Sequence, residues 1–507
     1  MGDFVEVTTS AGVVRGEWKP TIGGAGASGH GHSRYASFRG IPIAEPPIGD
    51  LRFAPPVPKE PWDGVLDALA FGPTAQRGDP GITLIPEPSI PGDSTLNVNV
   101  YTPTPKAGDT APGDTEPATA LPVMVWIHGG GFISGSPASP WYEGRNFNRD
   151  GVVTVTISYR LGFDGFGWIP DAPNNRGVLD WLFALEWVQR NISAFGGDPN
   201  RVTIAGQSAG GGAVLTLLGM ESAQHLFHAA ISVSGALSDI PAARASALGT
   251  RIASQVARKF GVPLTREGLA GVPEEELLAA QRRATRIGPK DLASLVDAGL
   301  PFGPVVDGRL IRRPTLESLR AGVGSDKPLL LGATDDEFSM SFTGAEKIIR
   351  WVPTSFLMGR MGVPRSVRKP YLDANADVAA LGKTRLAGRV LTDRLFRTVV
   401  PSVLAARGDA PSWAYRFLWP SGTFGFAEHC LDVPFFFDCL DGPAMEPLAG
   451  PNPPQQLADE VHSRAVRFVT DGDPGWPRHE EPGRIVRIYD AEPHDQPDAY
   501  RSVAPLL

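Results

Sequence analysis

Only two cysteines, Cys430 and Cys439, occur among the 507 residues of this chain. So few cysteines exclude a small secreted scaffold held together by disulfides, and their spacing matches no zinc-binding pattern. We therefore expect two buried free thiols, with a bridge between Cys430 and Cys439 as the alternative.

Long apolar runs and basic clusters are missing as well. No uninterrupted stretch approaches the roughly 18 residues of a membrane span, and the amino-terminal residues lack the basic and apolar segments of a secretory signal. The 47 basic residues against 55 acidic ones give a net charge of −8. Neither a nucleic acid nor an anionic membrane is therefore an expected partner. We expect a cytoplasmic protein that acts on a small, mainly neutral molecule.

The chain does contain the alternation of an α/β protein. Apolar runs of strand length at 122–127 and 152–159 precede a long amphipathic helix that starts at 177, and a β-branched strand follows at 202–204. This order of strands and helix predicts a doubly wound, mostly parallel sheet. Further predicted elements are an opening hairpin at 5–16, strands at 96–101, 229–234, 327–334 and 413–419, and a last edge strand at 484–488. Residues 38–47 lead into a proline-rich segment that we read as irregular coil.

By its length the chain could hold about three average domains, or one large α/β domain with insertions. We expect one domain over residues 1–507. Helical patterns between about 236 and 320 predict a mostly helical insertion. Helical and proline-broken segments at about 340–410 predict a lid or regulatory region. Both would surround the active-site gorge.

The sequence G-Q-S-A-G at 206–210 lies where the strand at 202–204 meets a helix. Such a strand–turn–helix is a nucleophile elbow, which exposes the hydroxyl of Ser208 in front of a helix N-terminus. The flanking glycines, Gly206 and Gly210, are required because side chains there would collide with the neighbouring strand and helix. Ser208 is therefore the candidate nucleophile.

A second glycine run, 129–131, follows the buried strand at 122–127. Bare glycines at the carboxyl end of a parallel strand leave backbone N–H groups exposed at the edge where α/β folds place their sites. Exposed N–H groups are what an oxyanion hole requires.

A serine hydroxyl needs a histidine base, and the histidine needs a carboxylate partner. Of the nine histidines, His429 is the one that follows a late strand, where the chain order of this fold places the base. Three carboxylates follow an intermediate strand, Asp335, Asp336 and Glu337. Position alone does not choose among them.

The chain resembles the type-B carboxylesterases of the α/β-hydrolase fold, a family that includes the cholinesterases and bacterial para-nitrobenzyl-type esterases. The motifs that carry the resemblance are F-R-G-I-P-I-A-E-P-P-I-G-D-L-R-F (38–53), L-N-V-N-V-Y-T-P (96–103), W-I-H-G-G-G-F (126–132), S-Y-R-L-G (158–162), A-F-G-G-D-P-N-R-V-T-I-A-G-Q-S-A-G-G (194–211), F-G-P-V-V-D-G (302–308) and H-C-L-D-V-P-F-F-F (429–437).

The resemblance implies a serine esterase, with Ser208 as nucleophile, Glu337 as acid and His429 as base. It implies oxyanion-hole donors at Gly130, Gly131 and Ala209. It also implies an ester substrate, no cofactor or metal, and a bacterial enzyme that is a monomer or a homodimer.

The chain departs from the family pattern in four places. Gln207 stands where glutamate is common, which removes a negative charge beside the site. Phe338 replaces the usual glycine after the acid. Glu428 precedes the base where a small residue is usual, and it would either perturb His429 or point to solvent. Ser94 and Thr95 stand where some relatives have the cysteine of a disulfide.

Two alternatives to an esterase stay open. A carbamate or amide hydrolase would use the same triad with another leaving group, and some relatives in the family are non-catalytic binding proteins. The pocket lining is expected from loops near 80–95, from the insertion and from 340–362. In the last segment the candidate lining residues are Phe338, Phe342, Trp351, Phe356 and Met358.

Overall fold

A computed structural model describes residues 3–21, 31–78, 84–106, 120–286 and 299–507. Part of the loop near 80–95, expected to line the pocket, lies outside the described residues.

One twisted sheet of 13 strands organises the described structure, in the order β1-β2-β3-β5-β7-β6-β8-β9-β12-β13-β14-β15, with β4 paired to β2. A separate pair is formed by β10 and β11. The strands are β1 Phe4–Thr8, β2 Val13–Pro20, β3 Arg34–Pro42, β4 Val65–Asp67, β5 Asn97–Thr102, β6 Leu121–Ile127, β7 Val153–Ile157, β8 Gly197–Gln207, β9 Ala229–Val233, β10 Ile240–Pro241, β11 Val305–Val306, β12 Leu329–Thr334, β13 Ser412–Phe417, β14 Ile485–Tyr489 and β15 His494–Pro497.

Helices cover both faces of the sheet and fill the long connections. Those described are α1 Arg145–Arg149, α2 Gly162–Phe166, α3 Arg176–Asn191, α4 Ala209–Leu218, α5 Ala242–Phe260, α6 Arg266–Ala270, α7 Glu274–Ala284, α8 Thr315–Arg320, α9 Glu346–Ile349, α10 Thr354–Arg360, α11 Arg368–Ala374, α12 Ala376–Ala380, α13 Lys383–Thr392, α14 Val399–Arg407, α15 Asp432–Phe436, α16 Glu446–Ala449 and α17 Gln455–Asp471. Within the described ranges, no helix combines the length and apolar character needed to cross a bilayer.

The seven strands from β7 to β14 in sheet order are parallel to one another. Because helices cover both faces of the sheet, every residue of β7, β9 and β12 is buried. Ile127 pairs with Gly206, and Gln207 pairs with Val233. This register brings the end of β6 and the turn after β8 to one edge of the sheet, which confirms the doubly wound α/β prediction.

Two sequence predictions at the sheet margins were wrong. Residues 38–42, read as coil, belong to β3, whose pairing with β5 shifts between Phe38 and Ile41. That bulge interrupts the alternation that would have identified the strand. β14 is not the edge strand either, because β15 pairs with it in antiparallel orientation. The residues of β15 are nearly all polar and exposed, as edge strands often are.

The helices α9 to α13 form a layer that we call the cap. It has its own apolar cluster, distinct from the two clusters that line the faces of the main sheet. The buried members of the cap cluster are Met358, Met361, Val363, Tyr371, Leu386, Ala387, Val390 and Leu391. The π-helical turn Asp393–Arg397 continues α13 toward the centre of the molecule, so the cap is joined directly to the edge of the sheet where the candidate residues meet.

Candidate active site

Ser208 lies on the turn between β8 and α4, with φ 58° and ψ −120°. This strained conformation is held by two backbone hydrogen bonds, from Ser208 N to Val233 O and from Gly212 N to Ser208 O, both 2.9 Å. A side chain at Gly206 would come within 2.6 Å of the Gly210 backbone, and one at Gly210 would overlap the carbonyl of Ile127. The predicted need for glycine on both sides of the elbow is confirmed.

The glycine loop after β6 faces the same cavity as Ser208. Gly130 and Gly131 have positive φ angles, 96° and 62°. A side chain at Gly130 would overlap the carbonyl of Ser134, so the tight turn itself requires glycine there. Ala209 begins α4 directly after Ser208 and is buried. Gly130 and Gly131 border the cavity, whereas Ala209 lies just behind the serine.

His429 meets Glu337 across the sheet edge. The Nδ1 atom of His429 makes a short hydrogen bond with Oε2 of Glu337, and the backbone N–H of His429 donates to the Glu337 carbonyl at 3.1 Å. Oε1 of Glu337 accepts the N–H of Thr334 at 2.9 Å. The carboxylate is completely buried. Because both of its oxygens are hydrogen-bonded, the imidazole is held with its Nε2 on the side of Gln207 and the cavity.

The neighbouring carboxylates, which the sequence left as alternatives, point elsewhere. Asp335 binds Arg389 at 3.0 Å and Arg416 at 2.8 Å. Asp336 binds Arg385 at 3.0 Å and accepts the Ser339 hydroxyl. Although burial opposes the charge of Asp335, the surrounding arginines hold the pKa of that carboxyl well below its usual range. Of the three acids, only Glu337 contacts His429.

Two aromatic rings enclose His429. Phe338 stacks on the imidazole with ring centroids 5.3 Å apart, and Phe396 of the π-helical turn lies 5.0 Å from it. Phe338, the departure from the family glycine, therefore forms part of the wall that orients the imidazole. Burial lowers the pKa of His429, but Cys430 and Glu337 outweigh it and raise the pKa well above 6.5. Because burial also raises the pKa of the Cys430 thiol, we assign the increase to the Glu337 carboxylate.

Gln207 occupies the other side of the imidazole. Its Nε2 lies 3.2 Å from Nε2 of His429 and 3.2 Å from Sγ of Cys430. When His429 is neutral with its proton on Nδ1, its Nε2 accepts a hydrogen from the Gln207 amide. No hydrogen bond joins Ser208 Oγ to His429 among the described contacts, and the amide of Gln207 is the group that meets Nε2.

Glu428 is fully buried beside the base, which excludes the alternative that it points to solvent. Neither of its carboxyl oxygens has a hydrogen-bond partner among the residues described. Burial raises the pKa of Glu428 to about 8, with a smaller contribution from the negative charge of Asp336. Glu428 is therefore mostly protonated at neutral pH.

A cavity of about 610 Å³ opens in front of Ser208, within the range of small-molecule sites. Of the aromatic and methionine residues predicted to line it from 340–362 and its flank, only Phe338 does so. Phe342 and Met358 pack in the cap cluster, while Trp351 and Phe356 are exposed. For these four side chains the prediction was wrong, because the apolar spacing of the segment places them in the interior of the cap or on its outer face. The segment still contributes Met340 to the wall. The lining predicted from the loop near 80–95 and from the insertion is confirmed, by Leu84, Ile85 and Glu87 and by residues 236–240, 299 and 300.

Charged residues in the cavity wall were missed by the sequence reasoning. Glu87 accepts a hydrogen bond from the Tyr142 hydroxyl at 2.9 Å, and burial raises its pKa to about 7. Asp239 is bound by the side chain and the backbone N–H of Thr315, and burial raises its pKa too. Arg394 donates to the Gly362 carbonyl at 2.6 Å. They lie in loops or at helix ends, where no local pattern marks a cavity wall.

No group of three or more His, Cys, Asp or Glu side chains within the described ranges is arranged to hold a metal ion. Both cysteines are free and buried, as predicted.

The parallel sheet, the serine on its strained turn and the acid–histidine pair at the same sheet edge define an α/β-hydrolase. The sequence model of the carboxylesterase family matches residues 3–484. The chain belongs to this family, and it is a carboxylic-ester hydrolase.

Similarity to characterised relatives extends over nearly the whole chain. Para-nitrobenzyl esterase of Bacillus subtilis (strain 168) is 33% identical over 481 residues, which cover 90% of this chain and 91% of the relative. Phenmedipham hydrolase of Pseudarthrobacter oxydans is 33% identical over 478 residues, with coverage of 89% and 90%. A solved structure of PNB esterase superposes with a TM-score of 0.81 at 31% identity, covering 99% of both chains.

Proposed function

We propose that this serine carboxylesterase cleaves small to medium, mainly neutral carboxylic esters through an acyl-enzyme on Ser208. One observation carries the proposal: the His429–Glu337 pair and Ser208 border a single cavity beside the glycine loop. This arrangement supplies a nucleophile, a base with an orienting acid, and backbone donors within one site.

In the first step, Ser208 Oγ attacks the ester carbonyl while Nε2 of His429 takes its proton. For this, the Gln207 amide must yield its place at Nε2 to the serine hydroxyl. Glu337 keeps the Nδ1 proton directed at itself and stabilises the imidazolium that forms. The N–H groups of Gly130, Gly131 and Ala209 bind the developing oxyanion, and each donor of this kind typically contributes about 2.7–4 kcal/mol to the transition state.

The intermediate collapses when His429 gives its proton to the departing alcohol oxygen. Water then enters the vacated half of the cavity, and the same imidazole removes its proton as it attacks the acyl carbonyl. The acid is released and Ser208 regains its hydrogen. The His429 ring performs both transfers without moving far, because Phe338 and Phe396 hold its faces.

The cavity chemistry supports neutral substrates. Eleven of the 26 residues that border it are aliphatic, aromatic or methionine side chains, and the acidic residues Glu87 and Asp239 are accompanied by the cation Arg394. Glu87, with a pKa of about 7, is partly protonated at neutral pH. Gln207 is uncharged where relatives often carry glutamate, so no full negative charge faces the imidazole from that side. Apolar acyl and alkyl groups therefore meet the least desolvation cost.

We also propose that residues 1–507 form one catalytic domain, with a helical insertion at about 236–320 and a lid region at about 340–410. We place the enzyme in the cytoplasm of a bacterium. The free thiols Cys430 and Cys439 support a reducing compartment, and the two sequence relatives named above are bacterial.

Turnover of matched aryl substrates tests this function. The series pairs aryl esters of increasing acyl length with the aryl carbamate and the anilide of the same acyl size. We expect kcat/KM to be highest for the esters. Faster turnover of the carbamate or the anilide than of every ester would contradict the proposal.

A further inference from the structure

The cap presents an unusual amount of apolar surface to solvent. Within the described chain, five large apolar side chains are more than 60% exposed. Four of them form what we call the cap patch, namely Ile348 at 73%, Trp351 at 77%, Phe356 at 61% and Leu381 at 64%. The fifth, the terminal Leu507, follows Leu506, which packs against the cap cluster. Such a concentration of exposed apolar side chains on one layer marks an interaction surface.

Two hydrogen bonds link the segments that carry the patch. Lys383, two residues beyond Leu381, donates to the carbonyls of Arg350 and Val352 at 2.9 and 2.8 Å. These bonds hold the loop that carries Trp351 against the start of α13. These bonds give the patch a defined conformation.

Positive charge surrounds the patch. Residues 343–383, which span the whole patch, contain seven basic side chains and three acidic ones in a chain whose net charge is −8. The basic residues are Lys347, Arg350, Arg360, Arg365, Arg368, Lys369 and Lys383, against Glu346, Asp373 and Asp377. The basic residues are too far apart in sequence to form a basic cluster, which is why the sequence predicted no anionic surface as a partner. The short helices of the cap, with the loops between them, bring them onto the layer that carries the patch.

One of these cations contacts the patch directly, and a second lies beside it. The Arg350 guanidinium lies 4.9 Å from the centre of the Trp351 ring. Arg368 donates to the Ser355 hydroxyl at 3.0 Å, immediately beside Phe356. Lys369 is the exception, since it pairs with Asp373 on its own helix. Surfaces that bind at the boundary of an anionic bilayer combine apolar and tryptophan side chains with arginine and lysine. The cap patch and its neighbouring cations have this composition.

The π-helical turn that continues the cap supplies one wall of the cavity. Arg394 and Phe396 of this turn line the cavity, and Arg394 is hydrogen-bonded to Gly362 just beyond α10. A surface bound to the cap patch would therefore lie on the layer that is joined to this wall.

We propose that the cap patch is a docking surface for anionic lipid membranes, on which the enzyme binds peripherally. A second copy of this chain is a poorer occupant, because face-to-face pairing would bring the same positive charges together. An anionic lipid surface satisfies both the apolar side chains and the cations.

Co-sedimentation with vesicles tests the proposal. The native enzyme is expected to bind vesicles of phosphatidylcholine mixed with phosphatidylglycerol, and to bind pure phosphatidylcholine vesicles at least about tenfold more weakly. The double variant Trp351→Ala/Phe356→Ala should lose about tenfold or more of the partition onto mixed vesicles. Lys347→Gln/Arg350→Gln should weaken binding to the mixed vesicles and leave the weak neutral binding unchanged.

Phe260→Ala is the matched control, since Phe260 is a half-exposed ring with Lys259 over its face on another helix. It should bind as the native enzyme does. Turnover of a dissolved aryl acetate should be equal in all these variants, which shows that they are folded. Ser208→Ala should bind vesicles normally, so the docking result is independent of the catalytic assignment.

The proposal is overturned if the native enzyme does not co-sediment with anionic vesicles, or if the Trp351→Ala/Phe356→Ala variant binds them as tightly as the native enzyme does. It is also overturned if that variant only converts a dimer into a monomer in sedimentation velocity. In that case a second copy covers the patch.

Discussion

The protonation state of the buried Glu428 carboxyl, next to His429, can be tested quantitatively. The Glu428 carboxyl is fully buried without a hydrogen-bond partner in the described structure, and its pKa rises from 4.5 to about 8. The folded state thus holds a proton that the unfolded chain releases at lower pH. Its contribution to stability is complete below pH 4.5 and is lost as pH rises through about 8.

The size of the effect follows from the shift. Between these two pKa values the group lowers the free energy of unfolding by about 1.4 kcal/mol per pH unit, or roughly 4–5 kcal/mol in total. Glu428→Gln keeps the shape of the side chain and removes the ionisation. The variant should therefore become more stable relative to the native enzyme as pH rises. For a chain of this length, about 4 kcal/mol corresponds to roughly 4 °C in Tm.

Thermal unfolding of both proteins at pH 5, 6, 7 and 8 measures this difference. We expect the Tm of Glu428→Gln minus that of the native enzyme to increase by about 4 °C over the series. Glu480→Gln, at an exposed position, should show a nearly flat difference. A flat difference for Glu428→Gln as well would refute the conclusion that this carboxyl is held in its protonated form.

Two further predictions concern the groups around the imidazole. Gln207→Glu places a carboxylate against Nε2 of His429, which should raise the pKa of the imidazole. The acidic limb of the profile of kcat/KM against pH should therefore move to higher pH by about 1–3 units. An unchanged limb would mean that Gln207 does not contact the imidazole. Glu337→Gln should lower kcat about 10⁴-fold. Asp336→Asn should keep most of the turnover but lower the stability, because the arginines that pair with Asp336 lose their counter-charge. Comparable losses of kcat in the two variants would contradict the assignment of Glu337 as the acid.

Much of the site was predictable because its parts obey local rules. The elbow needs glycines at 206 and 210 for steric reasons, and the structure shows the overlaps that side chains would cause. Parallel strands place their carboxyl ends together, so Ser208, the glycine loop and His429 were expected at one edge.

The choice among Asp335, Asp336 and Glu337 required tertiary information. All three follow β12, and only the arginines of α13 and β13, which are distant in sequence, show that Asp335 and Asp336 are engaged elsewhere. The family resemblance had indicated Glu337, and the contact with His429 supports that assignment.

Other features depended on long-range packing. The contact of Gln207 with His429 joins residues 222 positions apart. The role of Phe338 as a wall of the imidazole depends on Phe396 as well. In the segment 340–362, apolar residues recur with helical spacing. That spacing does not distinguish side chains that line a cavity from those that pack inside the cap or face solvent. The sequence therefore could not place Trp351 and Phe356 on the outer face.

Covalent labelling is the most direct test of the catalytic assignment. Incubation with a dialkyl aryl phosphate should add one dialkylphosphoryl group per chain, and peptide mapping should locate it on Ser208. Ser208→Ala should take up none and should lose ester hydrolysis while keeping its Tm. A phosphoryl group on another residue, or retained ester turnover in Ser208→Ala, would contradict the account.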